Sequence, residues 1–362
     1  MSLDWYMYLV PPALPTPRGE LTECLVTRLR QRPGRLPHLR LPRDGLQVNE
    51  DLQLALHLSF GLHYDGFEGV ADGWEWEPSF LELRARMVNE FLAFLIAETP
   101  STWRPGAPIT AATIQPTFED VLASGAGASL SAHMVEHGTV EELREFLIHR
   151  SIYQLKEADP HTWAIPRLRS RAKAAMVTLQ HDEYGEGVAG RSHAELFANT
   201  MADLDLDPTP GAYLDLVPGV SLATDNLVSA LGLQRRWRGA LVGHLAAFEM
   251  TSVRSMARYS SAIAKLGLPE RAAEFYDVHV AADRLHAEIA KDDLLLGLAE
   301  SDPKAIVDAP FGAAALLAVE WRFSAHLLDA WQHQRSSLLV SAPRRPKPQP
   351  DVALARPKIP AA

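Results

Sequence analysis

A single cysteine, Cys24, among 362 residues leaves this chain without a disulfide framework and without the thiolates of a cysteine-ligated cluster. Long apolar runs are missing too. No stretch approaches the roughly 18 uninterrupted apolar residues of a membrane span, so no membrane association is expected. The chain has no basic excess: 35 Lys and Arg stand against 45 Asp and Glu, a formal net charge of -10. That balance argues against a nucleic-acid partner, which calls for a basic face. The start, Met1-Ser-Leu-Asp-Trp, has no basic segment followed by an apolar one, so no secretory signal is expected. A lone thiol fits a reducing cytoplasm, the expected location.

What is present is enough for a large core. Hydrophobic residues make up 47% of the chain and charged residues 22%, as in soluble globular proteins. Residues 1–45 are rich in Pro and Arg and read as an irregular arm, with one short helix around Glu20–Arg30. Residues 48–65 and 78–97 read as helices, the second opening at Pro78. Residues 98–116 hold four prolines and form a connector. From 117 to 335 successive helical segments dominate: 117–137, 139–158, 167–184, 191–204, 209–230, 233–266, 269–298, 303–307 and 310–335. Ala-rich text such as Gly239–Phe248 suits close helix packing. The last segment, 336–362, carries six prolines and five Lys or Arg from Pro343 onward and is expected to be a disordered tail. Three parts follow: an arm and helical extension (1–116), an all-α bundle (117–335) and the tail (336–362).

The most informative run is Phe275-Tyr-Asp-Val-His-Val-Ala-Ala-Asp-Arg-Leu-His286. Nothing in it breaks a helix, and positions i, i+4 and i+7 share one helical face. His279, Asp283 and His286 therefore converge. Nitrogen and oxygen donors without thiolate suit iron, manganese or zinc. A solvated helix face with two ordinary histidines would carry the same letters. The bundle holds further acids and histidines within apolar text: Glu157, Glu183, His193 and Glu249. Glu249 lies among Ala246, Ala247, Phe248 and Met250, where an uncompensated buried carboxylate is costly. A cation would relieve it, as would an ion pair with Arg254 or Arg258, or simple exposure.

This ordered set resembles the haem-oxygenase-like diiron oxidases and oxygenases, the iron-containing redox enzymes. Their pattern is a Glu, then a Glu and a His ten residues apart, a further Glu in some members, and a final His-x-x-x-Asp-x-x-His helix. Here these are Glu157, Glu183 and His193, Glu249, and His279, Asp283 and His286. The resemblance covers about residues 120–330 and leaves 1–116 outside. It implies a haem-oxygenase-like helical bundle and two iron ions cycling between Fe(II) and Fe(III). All seven residues would be both metal ligands and catalytic groups, O2 would be a cosubstrate, and the path would run through a peroxo-diiron intermediate. The extra Glu249 resembles the N-oxygenating branch, so an amine or amino-acid-like small molecule is the expected substrate, with oxidative cleavage or desaturation as other outcomes. By analogy a small iron–sulfur protein would be the electron donor, and a homodimer stays open.

Glycines 185, 187 and 190 are expected to break the helix between Glu183 and His193, letting the two converge. His149 and Tyr153 share a face with Glu157 and suit either a role behind the ligands, a substrate-facing role or satisfied core positions. His161 reads as a loop or cap residue and His244 as structural. His63, Tyr64, Trp74 and Trp76 suit ordinary packing better than a cap over the site. Cys24 lacks an activating neighbour in sequence. Two alternatives to the diiron enzyme remain: a non-catalytic metal-binding or interaction protein on the same bundle, and a haem oxygenase. A thiaminase-like hydrolase would need a nucleophilic cysteine near the bundle.

Overall fold

Helix starts in the N-terminal region are set by caps that reach across the fold as well as along the chain. A computed structural model of the protein describes residues 10–42, 45, 46, 48–99, 108–125, 127 and 129–340. Helix α1 (Glu20–Leu29) follows Gly19, which offers no capping side chain. Asp51 of α2 (Glu50–Gly61) supplies the cap instead, accepting from the N–H of Leu21 at 2.9 Å, the N–H of Thr22 at 2.8 Å and the Thr22 hydroxyl at 2.6 Å. A Cβ on Gly19 would fall onto that carboxylate. The Asn49 side chain caps α2 through the N–H of Leu52. Glu77 caps α3 (Pro78–Glu98), whose proline occupies a first-turn position that needs no N–H.

The other α-helices of seven residues or more among the described residues are α4 (Ile114–Ser124), α5 (Leu130–Glu136), α6 (Val140–Gln154), α7 (Ser170–Glu183), α8 (His193–Asp203), α9 (Gly219–Leu233), α10 (Arg238–Lys265), α11 (Glu274–Glu288) and α12 (Ala309–Gln332). No strand occurs among the described residues. The long α10 packs on α11 and α12, and α9 packs on both α2 and α12. Close approach of α10 to α12 depends on three glycines. A Cβ on Gly239, Gly243 or Gly312 would collide with the carbonyl oxygen of Ala305, Ala309 or Ala240 respectively.

Several boundaries differ from the sequence expectation. The helix expected over 117–137 is two helices, α4 and α5, separated around Gly125, with Ser129 capping the second through Ala132 N–H. The helix expected over 209–230 starts only at Gly219, because Pro210, Gly211 and Pro218 hold the preceding segment in turns. After Glu288, α11 runs into a π-helical segment, Ile289–Leu295, and resumes as α-helix over Leu296–Ser301. Such single-turn widenings are frequent beside functional sites.

The extension shares its core with the bundle. Leu52, Leu56, Phe60, Phe80 and Phe91 belong to the same buried apolar cluster as Met176, Leu227, Leu241 and Phe311. A second cluster contains Phe146, Phe197, Phe275, Tyr276 and Trp331. The chain beyond α12 is fastened as far as Leu339, whose N–H donates to the Leu216 carbonyl at 2.8 Å. Glu145 accepts from Trp331 Nε1 (2.9 Å), the Ser337 N–H (2.9 Å), the Ser337 hydroxyl (2.6 Å) and the Ser336 hydroxyl (2.5 Å). With its proton committed to Glu145, the Ser337 oxygen accepts from His149 Nε2 at 2.9 Å, and Ser221 then donates to His149 Nδ1 at 2.7 Å. His149 is thus a satisfied core residue. The expected tail from 341 to 362 lies outside the described residues. Among the described residues no helix is long and apolar enough to cross a membrane.

His63 and Trp74 pack as ordinary structure, while Trp76 is largely exposed: His63 meets Glu75 at 2.8 Å, and Trp74, fully buried, donates to the Gln31 carbonyl. Cys24 is partly buried, and burial raises its thiol above the usual range despite the opposing effect of Arg28. A raised thiol is a poor nucleophile. Cys24→Ser is therefore expected to leave metal content and turnover unchanged, and a thiol-titration time course should show slow modification. Loss of either property in the serine variant would give Cys24 a role the structure does not.

Candidate metal centre

Seven side chains from four helices and one turn meet inside the bundle. Glu157 stands in the turn just after α6, where the helix ends at Gln154. Glu183 is the last residue of α7 and His193 the first of α8. Between them Gly185, Glu186, Gly187 and Gly190 have φ of 67°, 56°, 77° and 83°, left-handed conformations that end one helix and turn the chain back. A Cβ on Gly185 would run into the Arg191 carbonyl, so the loop closes tightly on itself. Ser192 and Glu195 then form a reciprocal capping box that fixes the first turn of α8, and His193 with it. Glu249 lies midway along α10, and His279, Asp283 and His286 lie on α11.

All seven are withdrawn from solvent: Glu183 is 7% exposed, His193 2%, Glu249 5%, His279 4%, Asp283 1% and His286 0%, and Glu157 is half-buried. Their donor atoms form two groups, each within 4.8 Å: Glu157, Glu183, His193 and His279 in one, and Glu183, Glu249 and His286 in the other. Glu183 belongs to both. The shared face of α11 is thereby divided, with His279 serving the first group and His286 the second. Asp283 stands outside both groups, with Oδ1 3.7 Å from His286 Nδ1.

The donors face a common space rather than one another. Glu183 Oε2 and His193 Nδ1 are 2.8 Å apart, yet neither is aligned in a hydrogen bond. Glu157 Oε2, both Asp283 oxygens and His286 Nδ1 are likewise buried without a hydrogen-bond partner. Orphaned atoms of this kind are expensive, and a cation in their midst satisfies them together. The outer ring nitrogens are already committed. His279 Nδ1 donates to the Phe275 carbonyl at 2.7 Å, and His286 Nε2 donates to Asp182 at 2.9 Å. His279 thereby leaves Nε2 as a lone pair directed at the cluster, and His286 Nδ1 offers one once its proton is displaced, the arrangement that metal-ligating histidines require. Asp182 escaped the sequence reading, because only the fold brings it onto a histidine 104 positions away.

Electrostatics tell the same story. Burial raises Glu157 well above the carboxylate range, reinforced by Glu183 and Asp283. Burial also lifts Asp283 to about 7, with Glu249 adding to it. Burial would lift Glu183 too, but the imidazoles of His193, His279 and His286 outweigh it and bring the carboxyl down to about 2. Burial acts to lower His286, yet Glu249 and Asp182 raise it to about 9. Without a cation the cluster thus compensates its charge with protons, which a divalent ion would displace. The donor set is hard carboxylate plus imidazole, which fits iron.

Tyr153, His161, Gln180, Leu245, Phe248 and Met256 complete a pocket over Glu157, Glu183, Glu249, His279 and Asp283. Its cavity is small, about 40 Å³. Tyr153 stacks on Phe248, with centroids 5.9 Å apart. Of the two residues sharing a face with Glu157, Tyr153 therefore faces the site and His149 does not. His161 is a correction: it is neither a loop nor a capping residue but a buried lining group of this pocket. Among the described residues Glu249 pairs with no arginine; it lies 3.3 Å from His286 Nδ1.

Fold and site together define an all-α bundle with a buried carboxylate–histidine cluster able to hold metal ions. Residues 144–321 match the family of iron-containing redox enzymes of haem-oxygenase-like fold. The match contains all seven clustered residues and leaves out α1 to α5. No curated protein matches the chain.

The loop between Glu183 and His193 predicts a measurable response. A segment with several glycines orders cheaply only when its ends are tied. Adding Fe(II) is expected to slow amide hydrogen exchange across 183–193, while α12 changes little. Equal, strong protection in both states would show that the metal-free site is already rigid.

Proposed function

We propose that this protein is a non-haem diiron oxidoreductase that activates O2 and oxidises a small amine or amino-acid-like molecule. The observation that carries the reading is Glu183, shared by two donor groups. A carboxylate common to two sets is what a pair of ions bridged by one ligand requires, and helical bundles build such sites from inward Glu and His on facing helices. Glu157, Glu183, His193 and His279 would hold one ion, and Glu183, Glu249 and His286 the other, with Asp283 beside the second. Two bound ferrous ions supply the electrons that O2 chemistry needs.

The chain's own residues do the rest. Phe248, Leu245 and Met256 keep water from the cluster and receive the apolar part of a substrate. Tyr153 lines the pocket with Glu157, and burial together with the charges of Glu157 and Glu183 keeps its phenol protonated. Glu157 and Asp283 give up their protons as the metals bind. Support for an amine comes from Glu249, whose presence resembles the N-oxygenating branch; cleavage or desaturation would use the same residues. A small iron–sulfur protein would return the electrons.

Anaerobic Fe(II) titration followed by O2 exposure tests the reading. The expected result is uptake of about two irons per chain, the number two donor groups require, and a transient long-wavelength absorption that decays faster with a competent amine. One iron per chain with no optical change on O2 would leave a metal-binding protein, and a Soret band after haem addition would favour the haem oxygenase.

A further inference from the structure

Two buried histidines beside the cluster take no part in it. His161 sits in the short helix Asp159–Thr162 and His244 on α10, and they are 2% and 1% exposed. His161 Nε2 lies 3.0 Å from His244 Nδ1. Burial lowers both, His161 to about 4, so both rings are neutral near pH 7. One proton therefore lies between them, and which ring donates is decided by their outer nitrogens.

If His161 Nε2–H donated, His244 would carry its own proton on Nε2. That atom is buried and has no hydrogen-bond partner. A buried N–H without an acceptor is rarer than an unfilled acceptor lone pair. The opposite arrangement leaves only a bare lone pair on His244 Nε2, near the Phe248 ring whose centroid is 5.0 Å from that of His244. It places protons on His244 Nδ1 and on His161 Nδ1. His161 lines the metal pocket, and Nδ1 is its one ring nitrogen not turned to His244.

The geometry points to His161 as a substrate-binding residue that offers a fixed Nδ1–H beside the metals, with His244 as the positioning residue that locks the tautomer. This rests on the pocket being the substrate site, as proposed above. It also defines the chemistry of the ligand. The atom held by His161 is a hydrogen-bond acceptor: an unprotonated amine nitrogen, a hydroxyl or a carbonyl, not an ammonium group. The nearby cations cannot substitute as donors, since Lys156 is paired with Asp225 at 2.5 Å and Arg150 grips Glu320 through two bonds of 2.8 and 2.6 Å.

Nitrogen-15 NMR of histidine-labelled protein, with and without diamagnetic Zn(II), reads the tautomer directly. The expected result is a single Nδ1–H form of His161 that does not change around neutral pH, and a mixture of tautomers in His244→Phe. A wild-type His161 protonated on Nε2 would overturn the proposal. The binding arm uses benzyl alcohol against toluene, which share a ring but differ in the acceptor. Wild type should prefer the alcohol roughly tenfold, the value of one good hydrogen bond. His161→Leu should abolish the preference with Zn(II) content unchanged, and His161→Asn, which keeps an N–H donor, should restore part of it. Equal affinities in wild type, or a preference that survives His161→Leu, would also overturn it. Neither arm needs O2 turnover, so failure of the oxygenase reading would show separately, as absent iron uptake or absent oxidation.

Discussion

Replacing His279 with alanine is expected to strip most of the iron from the protein and to lower O2-dependent turnover by roughly 100-fold or more, beyond the loss typical of a residue that only supports a ligand. His279 is the member of the first donor group whose ring is fixed from both sides. Its Nδ1 is held by the Phe275 carbonyl, and its ring lies 4.2 Å from that of His193 and 4.4 Å from that of Phe275. Burial and the neighbouring His193 hold His279 down to about 4, so its ring is a neutral donor; removing it takes one lone pair from the first group and leaves that group too few donors to hold an ion. His286→Ala should act similarly from the second group. The measurements are iron per chain by elemental analysis and O2 uptake. His137→Ala, whose side chain is 71% exposed, is the control. Iron content and turnover equal to wild type in the His279 variant would remove this residue from the centre.

The largest stability effect is expected at the crossing of α10 and α12. Gly243→Ala should cost about 3 kcal/mol, the upper part of the usual range for overpacking, because the added methyl meets the Ala309 carbonyl oxygen and backbone cannot rotate away as a side chain can. Gly267→Ala is the comparison. It has open space around it but a φ of 70°, so its cost is conformational and should be about 1 kcal/mol. Denaturant unfolding of the two variants gives the difference. A Gly243 variant no less stable than the Gly267 variant would mean that the helices do not cross this closely. Because α10 also carries Glu249, six positions on, the Gly243 variant should bind iron more weakly as well.

What could be read from the sequence was what depends on local spacing. The rhythm of His279, Asp283 and His286 placed them on one face because α11 is regular up to Glu288. The glycines after Glu183 marked a helix break because left-handed backbone favours them, and Pro78 marked the start of α3. The division of that α11 face between two donor groups was not legible. Nor was the Asp182–His286 bond, nor the pairing of His161 with His244, which lie 83 positions apart. These depend on the docking of helices distant in sequence, for which periodicity carries no signal. The late start of α9 was missed for a different reason: apolar text between Pro210 and Pro218 looked helical, while the prolines withheld the N–H groups a helix needs.

His57 gives the extension a reach that its position in the chain conceals. From α2 it meets Asp225 at 3.1 Å, and Asp225 in turn holds Lys156, the residue immediately before Glu157. The Tyr64 ring lies 4.3 Å from the same ammonium group. Excising the family-matched stretch as a minimal catalyst would therefore do more than bare the greasy wall that α2 covers. It would free the turn that carries Glu157, so a graft of this centre onto another scaffold must bring α2 with it.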